Sequence, residues 1–171
     1  MNLTQEELCK IRLFAMDFDG IHTNSFVYFD QNGVESVRCS RIDSFGLDFL
    51  KRKTDIELLV ISKEANPVVS ARCNKLKIRC AQAVETKEGK LEILMRVMKE
   101  LDIFQSETLY MGDDLQDLSV LNYVAIPITV PSGRPQLKTV CRYVTSAPGG
   151  NGAIREVCEL LLEARGIDLT V

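Results

Sequence analysis

The stretch FAMDFDGIHT, residues 14–23, carries an apolar run straight into two aspartates one residue apart, Asp17 and Asp19. Burying a carboxylate without a partner costs several kcal/mol, about 2–7 for a neutral polar group and far more for an ion. A buried strand that ends this way needs a cation beside its acids, or a proton on one of them. The rest of the chain has to supply it.

Working outward, the run begins near Ile11, and IRLFAM (11–16) reads as a buried strand. IELLVI (56–61), TLYM (108–111) and VAIPI (124–128) read the same way. Between them NPVVSARCNKL, KEGKLEILMRVMKEL and LQDLSVLNYV repeat apolar residues at three-and-four spacing, and NGAIREVCELLLEARG is a further amphipathic helix ended by Gly166. Asn66 and Pro67 supply a cap and a first-turn proline, and Thr4 with Glu7 makes a capping box for a short leading helix. Strands alternating with helices imply an α/β fold, a parallel sheet covered by helices on both faces. With 171 residues and neither repeat nor linker, a single domain over 1–171 is expected.

One segment breaks the alternation. FVYFDQNGVESVR (26–38) reads as a β-hairpin around Asn32-Gly33, and its apolar side chains must pack either on the domain's own core or on a neighbouring subunit.

The chemistry lies after the strands, because ligands of an open α/β sheet bind beyond the carboxyl ends. After the first come Asp17 and Asp19, after the second Ser62, and after the third GDDLQD with Asp113, Asp114 and Asp117. Lys90 opens a helix between the second and third of those strands. Clustered carboxylates offer hard oxygen ligands suited to Mg²⁺. A hydroxyl and an ammonium beside them hold a phosphate.

Composition excludes other classes. The formal charge is −3 with 26% charged residues, so there is no basic footprint for nucleic acid. No run approaches the roughly 18 apolar residues of a membrane span. The start, MNLTQEELCK, is unlike a signal peptide. The six cysteines form no C-x-x-C pair, which points to reduced thiols and a cytoplasmic location. The single histidine, His22, is expected as a partly exposed loop residue, with a substrate contact as the alternative.

The order D-x-D-G-x-x-T, Ser/Thr after a strand, Lys, then G-D-D-x-x-D resembles the haloacid dehalogenase superfamily of phosphotransferases. The resemblance implies a Rossmann-like sheet and assigns roles. Asp17 is the nucleophile that becomes an aspartyl phosphate; Asp19 protonates the leaving alcohol and then activates water. Ser62 and Lys90 hold the phosphoryl group. Mg²⁺ is held by Asp17, the Asp19 backbone carbonyl and Asp113, supported by Asp114 and Asp117. The intervals Asp17–Ser62 and Ser62–Lys90 are too short for a cap domain.

Capless size, the hairpin, YMGDDLQDLSVL and the tail PGGNGAIREVCELLLEARG resemble the 3-deoxy-octulosonate 8-phosphate phosphatases and their nonulosonate 9-phosphate relatives. That group implies a sugar acid phosphate substrate and a homotetramer packed through the hairpins, with a neighbour closing each site. Where the octulosonate enzymes usually have Thr-Gly-Arg, this chain has Ser62-Lys63-Glu64, and where they have an arginine before the aspartate matching Asp43 it has Ile42, with Arg41 one place earlier. Glu64 with Lys75 resembles the nine-carbon enzymes, which makes these two candidate substrate contacts; a solvated acid at a helix start and a surface lysine are the plainer alternatives. A different class also stays open, since similar domains attached to CMP-sialic acid synthetases serve as weakly catalytic or non-catalytic oligomerisation modules.

Overall fold

The computed structural model describes residues 3–83 and 89–169. Residues 87 and 88, at the start of the expected helix KEGKLEILMRVMKEL, lie outside the described residues. The strands are β1 (Leu13–Met16), β2 (Val27–Phe29), β3 (Glu35–Val37), β4 (Glu57–Ile61), β5 (Arg79–Ala81), β6 (Thr108–Met111), β7 (Ile126–Thr129) and β8 (Tyr143–Val144). The helices are α1 (Gln5–Cys9), α2 (Arg41–Lys53), α3 (Val68–Leu76), α4 (Gly89–Leu101), α5 (Leu118–Leu121), α6 (Pro135–Val140) and α7 (Ala153–Ala164).

Six strands form one parallel sheet in the order β5-β4-β1-β6-β7-β8. The chain moves outward from β1 through β4 to β5, then returns to the other side of β1 with β6. The sheet order therefore reverses between β1 and β6, where an open α/β sheet forms its binding crevice. Period-two alternation splits the core by face. Phe14, Met16, Leu58, Val60, Leu109 and Met111 point to α2, α3 and α7, whereas Leu13, Ala15, Leu59, Ile61 and Tyr110 point to α4, α5 and α6. Strands buried on both faces explain the unbroken apolar runs.

Short edge elements were not legible in the sequence. β5 and β8 have only three and two residues and pair on one side each, and α6 follows a proline-led turn. LQDLSVLNYV forms a 3₁₀ turn at Leu115–Asp117 and only a short α5, because Asp114 and Asp117 spend their side chains on the first turn's backbone. The capping box of Thr4 and Glu7 is present, and Asn66 Oδ1 accepts from Val68 N at 3.1 Å.

The hairpin stands apart as a two-stranded sheet pairing Val27 with Val37. Its turn is longer than a two-residue Asn-Gly loop. Asp30 accepts from Asn32 N and Val34 N at 2.8 Å each, and Gly33 takes φ +77°, the left-handed third position of a three-residue loop. Phe26, Tyr28 and Phe29 are 70%, 57% and 65% exposed, so the hairpin does not cover them with the chain's own core. Phe45 and Ile42, at the start of α2, are exposed as well. Between Asp17 and Ser62 the described residues hold only this hairpin, α2 and β4, with no cap domain. No described helix is long and apolar enough to cross a membrane, and all six cysteines are free.

Candidate active site

β1 and β6 lie side by side, with Met16 level with Met111, so their exit loops meet at the crevice. Asp17 N donates to Met111 O at 2.9 Å, which continues the ladder one residue past the strand. Asp17 is 2% exposed. Its Oδ1 accepts from Phe18 N and from Lys90 Nζ at 2.7 Å each, while its Oδ2 is buried with no partner. Burial, then the charge of Asp117, pushes the Asp17 carboxyl well above the usual range despite Lys90. The cation required by the opening stretch is thus present on one oxygen, and the other is left open.

Lys90 reaches this point from the first turn of α4, with no exposed side-chain surface. Its ammonium also lies 2.7 Å from Asp117 Oδ1. Burial works against its charge, but Asp17 and Asp117 outweigh that and hold its pKa above the ordinary lysine value. Asp117 in turn uses both oxygens: Oδ1 accepts from Lys90 and from the Tyr110 hydroxyl at 2.8 Å, Oδ2 from Asp113 N at 3.1 Å and Asp114 N at 3.3 Å. A buried ion group of this kind persists only when its remaining lone pairs are satisfied.

Asp113 is half-buried, and its carboxyl is pushed up to about 6 by burial and then by Asp117 and Asp114. Carboxylate oxygens of Asp17, Asp113 and Asp117 lie within 4.8 Å of one another. Those of Asp117 are taken by four donors, so the open oxygens belong to Asp17 and Asp113. Gly20 makes this approach possible: at φ +77°, a Cβ there would fall 1.9 Å from Asp113 Oδ2. Asp114 points outward, accepting from Leu115 N at 2.7 Å and pairing with Arg134 at 3.3 Å.

Asp19 is half-buried, nearer the mouth, and accepts from Thr23 Oγ1 at 3.3 Å. Burial raises its pKa against that bond. Ser62 is buried at the end of β4, and its Oγ accepts from Glu64 N at 3.1 Å. Glu64 uses Oε1 to accept from Asn66 N at 2.8 Å, which is the behaviour of an acid at a helix start. Lys75 is not brought to this group. It sits in the last turn of α3, which has by then run back toward the opposite edge of the sheet, and lines a groove with Arg41, Phe45 and Lys51.

His22 departs from expectation. The amides of Ile21, His22 and Thr23 all turn back onto Phe18 O, curling the loop so that the ring is 2% exposed and stacks on Phe18 at 5.4 Å. Burial, with the nearby charge of Arg72, holds its pKa down to about 3, so it is neutral. Two participants escaped the sequence reading. Tyr110 had a signal, since a buried tyrosine needs a hydroxyl partner. Asp43 entered only as a match to a family aspartate, and no local signal showed its role: its carboxylate accepts from Gly152 N and Arg155 N across the fold.

A parallel α/β sheet with clustered acids, a buried lysine and a strand-end serine at its switch point defines a phosphoryl-transfer hydrolase. Residues 28–156 match the family model of haloacid dehalogenase-like hydrolases, and the chain belongs to that family. The match begins beyond Asp17 and Asp19, so the first loop rests on its own geometry. Among its relatives, the 3-deoxy-D-manno-octulosonate 8-phosphate phosphatase KdsC of Escherichia coli strain K12 is 33% identical, over 91% of this chain and 81% of that protein. The structure of 3-deoxy-D-manno-octulosonate 8-phosphate phosphatase from Moraxella catarrhalis, in complex with magnesium, phosphate and KDO, superposes with a TM-score of 0.87 at 37% identity, covering 94% of this chain and 90% of that one. The cobalt-bound deoxy-D-mannose-octulosonate 8-phosphate phosphatase from Haemophilus influenzae gives 0.86 at 27%, covering 94% and 92%. The chain is a phosphatase of the KdsC-like, capless kind.

Proposed function

We propose that this chain hydrolyses the phosphate monoester of a 2-keto-3-deoxy sugar acid, with an eight-carbon octulosonate 8-phosphate as the favoured substrate and Mg²⁺ as cofactor. The observation that carries the reading is Asp17, fixed through Oδ1 by Lys90 and the Phe18 amide with Oδ2 buried and unpartnered. An orphaned buried carboxylate oxygen beside Asp113 is the donor set of a hard divalent cation. Asp17, Asp113 and the Asp19 carbonyl would hold Mg²⁺, which supplies charge neutralisation of the phosphoryl oxygens.

The chain's own groups divide the reaction. An Asp17 carboxylate oxygen attacks phosphorus, the phosphorus–oxygen bond to the sugar breaks, and Asp19 gives its proton to the departing oxygen. The raised pKa of Asp19 keeps that proton available nearer neutrality. Asp19 then takes a proton from water, whose oxygen attacks phosphorus. The bond to Asp17 breaks, releasing inorganic phosphate and restoring the free carboxylate. Lys90 and Ser62 hold the phosphoryl oxygens, and Asp117 fixes Lys90.

The relatives support the eight-carbon acid. The pair that would favour nine carbons is divided: Glu64 accepts from Asn66 N in the loop ahead of α3, and Lys75 lies at the far end of α3. The exposed hairpin over 26–38 is the assembly element in this reading, burying Phe26, Tyr28 and Phe29 in a homotetramer whose neighbours close the open sites. The free thiols fit a cytoplasmic enzyme. A screen of eight- and nine-carbon 2-keto-3-deoxy acid phosphates with Mg²⁺ tests the substrate. Asp17→Asn should abolish turnover with the fold intact; near-normal turnover would overturn the nucleophile.

A further inference from the structure

Lys90 has three N–H donors. One goes to Asp17 Oδ1 and one to Asp117 Oδ1, each at 2.7 Å, which leaves the third for a ligand. The ammonium is useful only while it stays between the two acids. What sets that balance is the charge each acid presents to it. Asp17 Oδ1 divides its charge between Lys90 and the Phe18 amide. Asp117 Oδ1, without a second donor, would face Lys90 alone and draw the ammonium onto itself.

That second donor is the hydroxyl of Tyr110, at 2.8 Å. Tyr110 is fully buried in β6, among the apolar residues that meet α4 and α5. A phenylalanine would pack there equally well, and a buried hydroxyl is costly unless it is used. The orientation of Asp117 does not need it, because Oδ2 is already fixed by the amides of Asp113 and Asp114. We infer that Tyr110 is a positioning residue of the phosphoryl site: its hydroxyl shares Asp117 Oδ1 with Lys90 and so keeps the ammonium centred between Asp117 and Asp17. The inference rests on the phosphatase reading for its effect on turnover, but not for its effect on Lys90.

Tyr110→Phe removes one oxygen and keeps the ring. In the Mg²⁺-loaded full chain, kcat/KM should fall at least about tenfold, since the Lys90 contact to the phosphoryl group is weakened in the ground state and the transition state alike. The loss should be equal for p-nitrophenyl phosphate and for octulosonate 8-phosphate, because it lies at the phosphoryl group. Calorimetry with inorganic phosphate gives a readout independent of turnover. Tyr110→Phe should weaken phosphate binding about tenfold in the native background and leave it unchanged in a Lys90→Gln background, the signature of action through Lys90. A lower Tm with native kcat/KM and native phosphate affinity would make the hydroxyl merely structural and overturn the inference, as would equal losses in both backgrounds. Native protein that lacks Mg²⁺-dependent phosphatase activity would instead sink the proposed function, and the phosphate-binding cycle would still decide Tyr110.

Discussion

Asp43 offers the sharpest test of how the fold supports the site. It sits in the first turn of α2 and is 2% exposed. Its carboxylate accepts from Gly152 N at 3.2 Å and Arg155 N at 3.0 Å, so it caps α7, whose own N-cap residue, Gly152, has no side chain to do so. Just ahead of α7, Gly149 and Gly150 lie against the loop that carries Asp17 and Asp19: Gly150 N donates to Ile21 O at 2.9 Å, and a Cβ on Gly149 would fall 1.7 Å from Gly20 O. Asp43→Ala removes both bonds. Each bond to a charged acceptor is worth about 1.5–3 kcal/mol, and deleting either leaves a buried donor unsatisfied. Part of this is returned, because burial outweighs the amide bonds and raises the Asp43 pKa. A folded pKa above the unfolded one means a contribution fully present below the unfolded value of 3.8 and lost as pH rises through the folded one. At neutral pH the charge is therefore a partial burden, and the net loss should be about 2–3 kcal/mol. For a chain of this length that lowers Tm by roughly 5–10 °C. Asp43→Asn, which keeps one acceptor and no charge, should cost about half as much. Thermal unfolding measures both, and turnover at 25 °C should fall several-fold in the alanine variant as the loop loses its backing. A Tm within about 2 °C of native for Asp43→Ala would refute the capping argument.

Gly20→Ala places a methyl on Asp113 and forces a non-glycine residue into a left-handed turn that costs about 1–2 kcal/mol, so Mg²⁺ affinity by calorimetry should fall at least tenfold, and native affinity would contradict the crowding. In metal-free protein the Asp113 pKa of about 6 stands above its ordinary 3.8, so the fold holds a proton there that Mg²⁺ must displace at low pH. Apparent Mg²⁺ affinity should fall as pH drops through about 6, by about tenfold per unit or more because the Asp17 carboxyl is raised as well; a pH-independent affinity from pH 5 to 6 would count against a raised Asp113. Val27→Asp, in the exposed hairpin, should split the proposed homotetramer and lower turnover together by light scattering and assay, whereas a monomeric native protein would remove the hairpin's proposed assembly role.

The sequence by itself determined the sheet and the place of its chemistry. Runs such as IRLFAM and TLYM are apolar throughout because their strands are covered on both faces, and the acids that follow them could only lie at the carboxyl edge. Local signals of this kind are read within a few residues. The tertiary structure decided what depends on contacts between distant segments. His22 is buried because its loop curls onto Phe18, and Asp43 finds α7 more than a hundred positions away. β5 and β8 exist because a neighbouring strand offers them a ladder, not because three or two residues prefer extension. The same holds within the site. A row of aspartates does not reveal which carboxylate is spent on the scaffold: Asp117 gives both oxygens to Lys90, Tyr110 and two backbone amides, while Asp17 keeps one free. That division follows from where donors converge in space, and neighbours in the chain do not encode it.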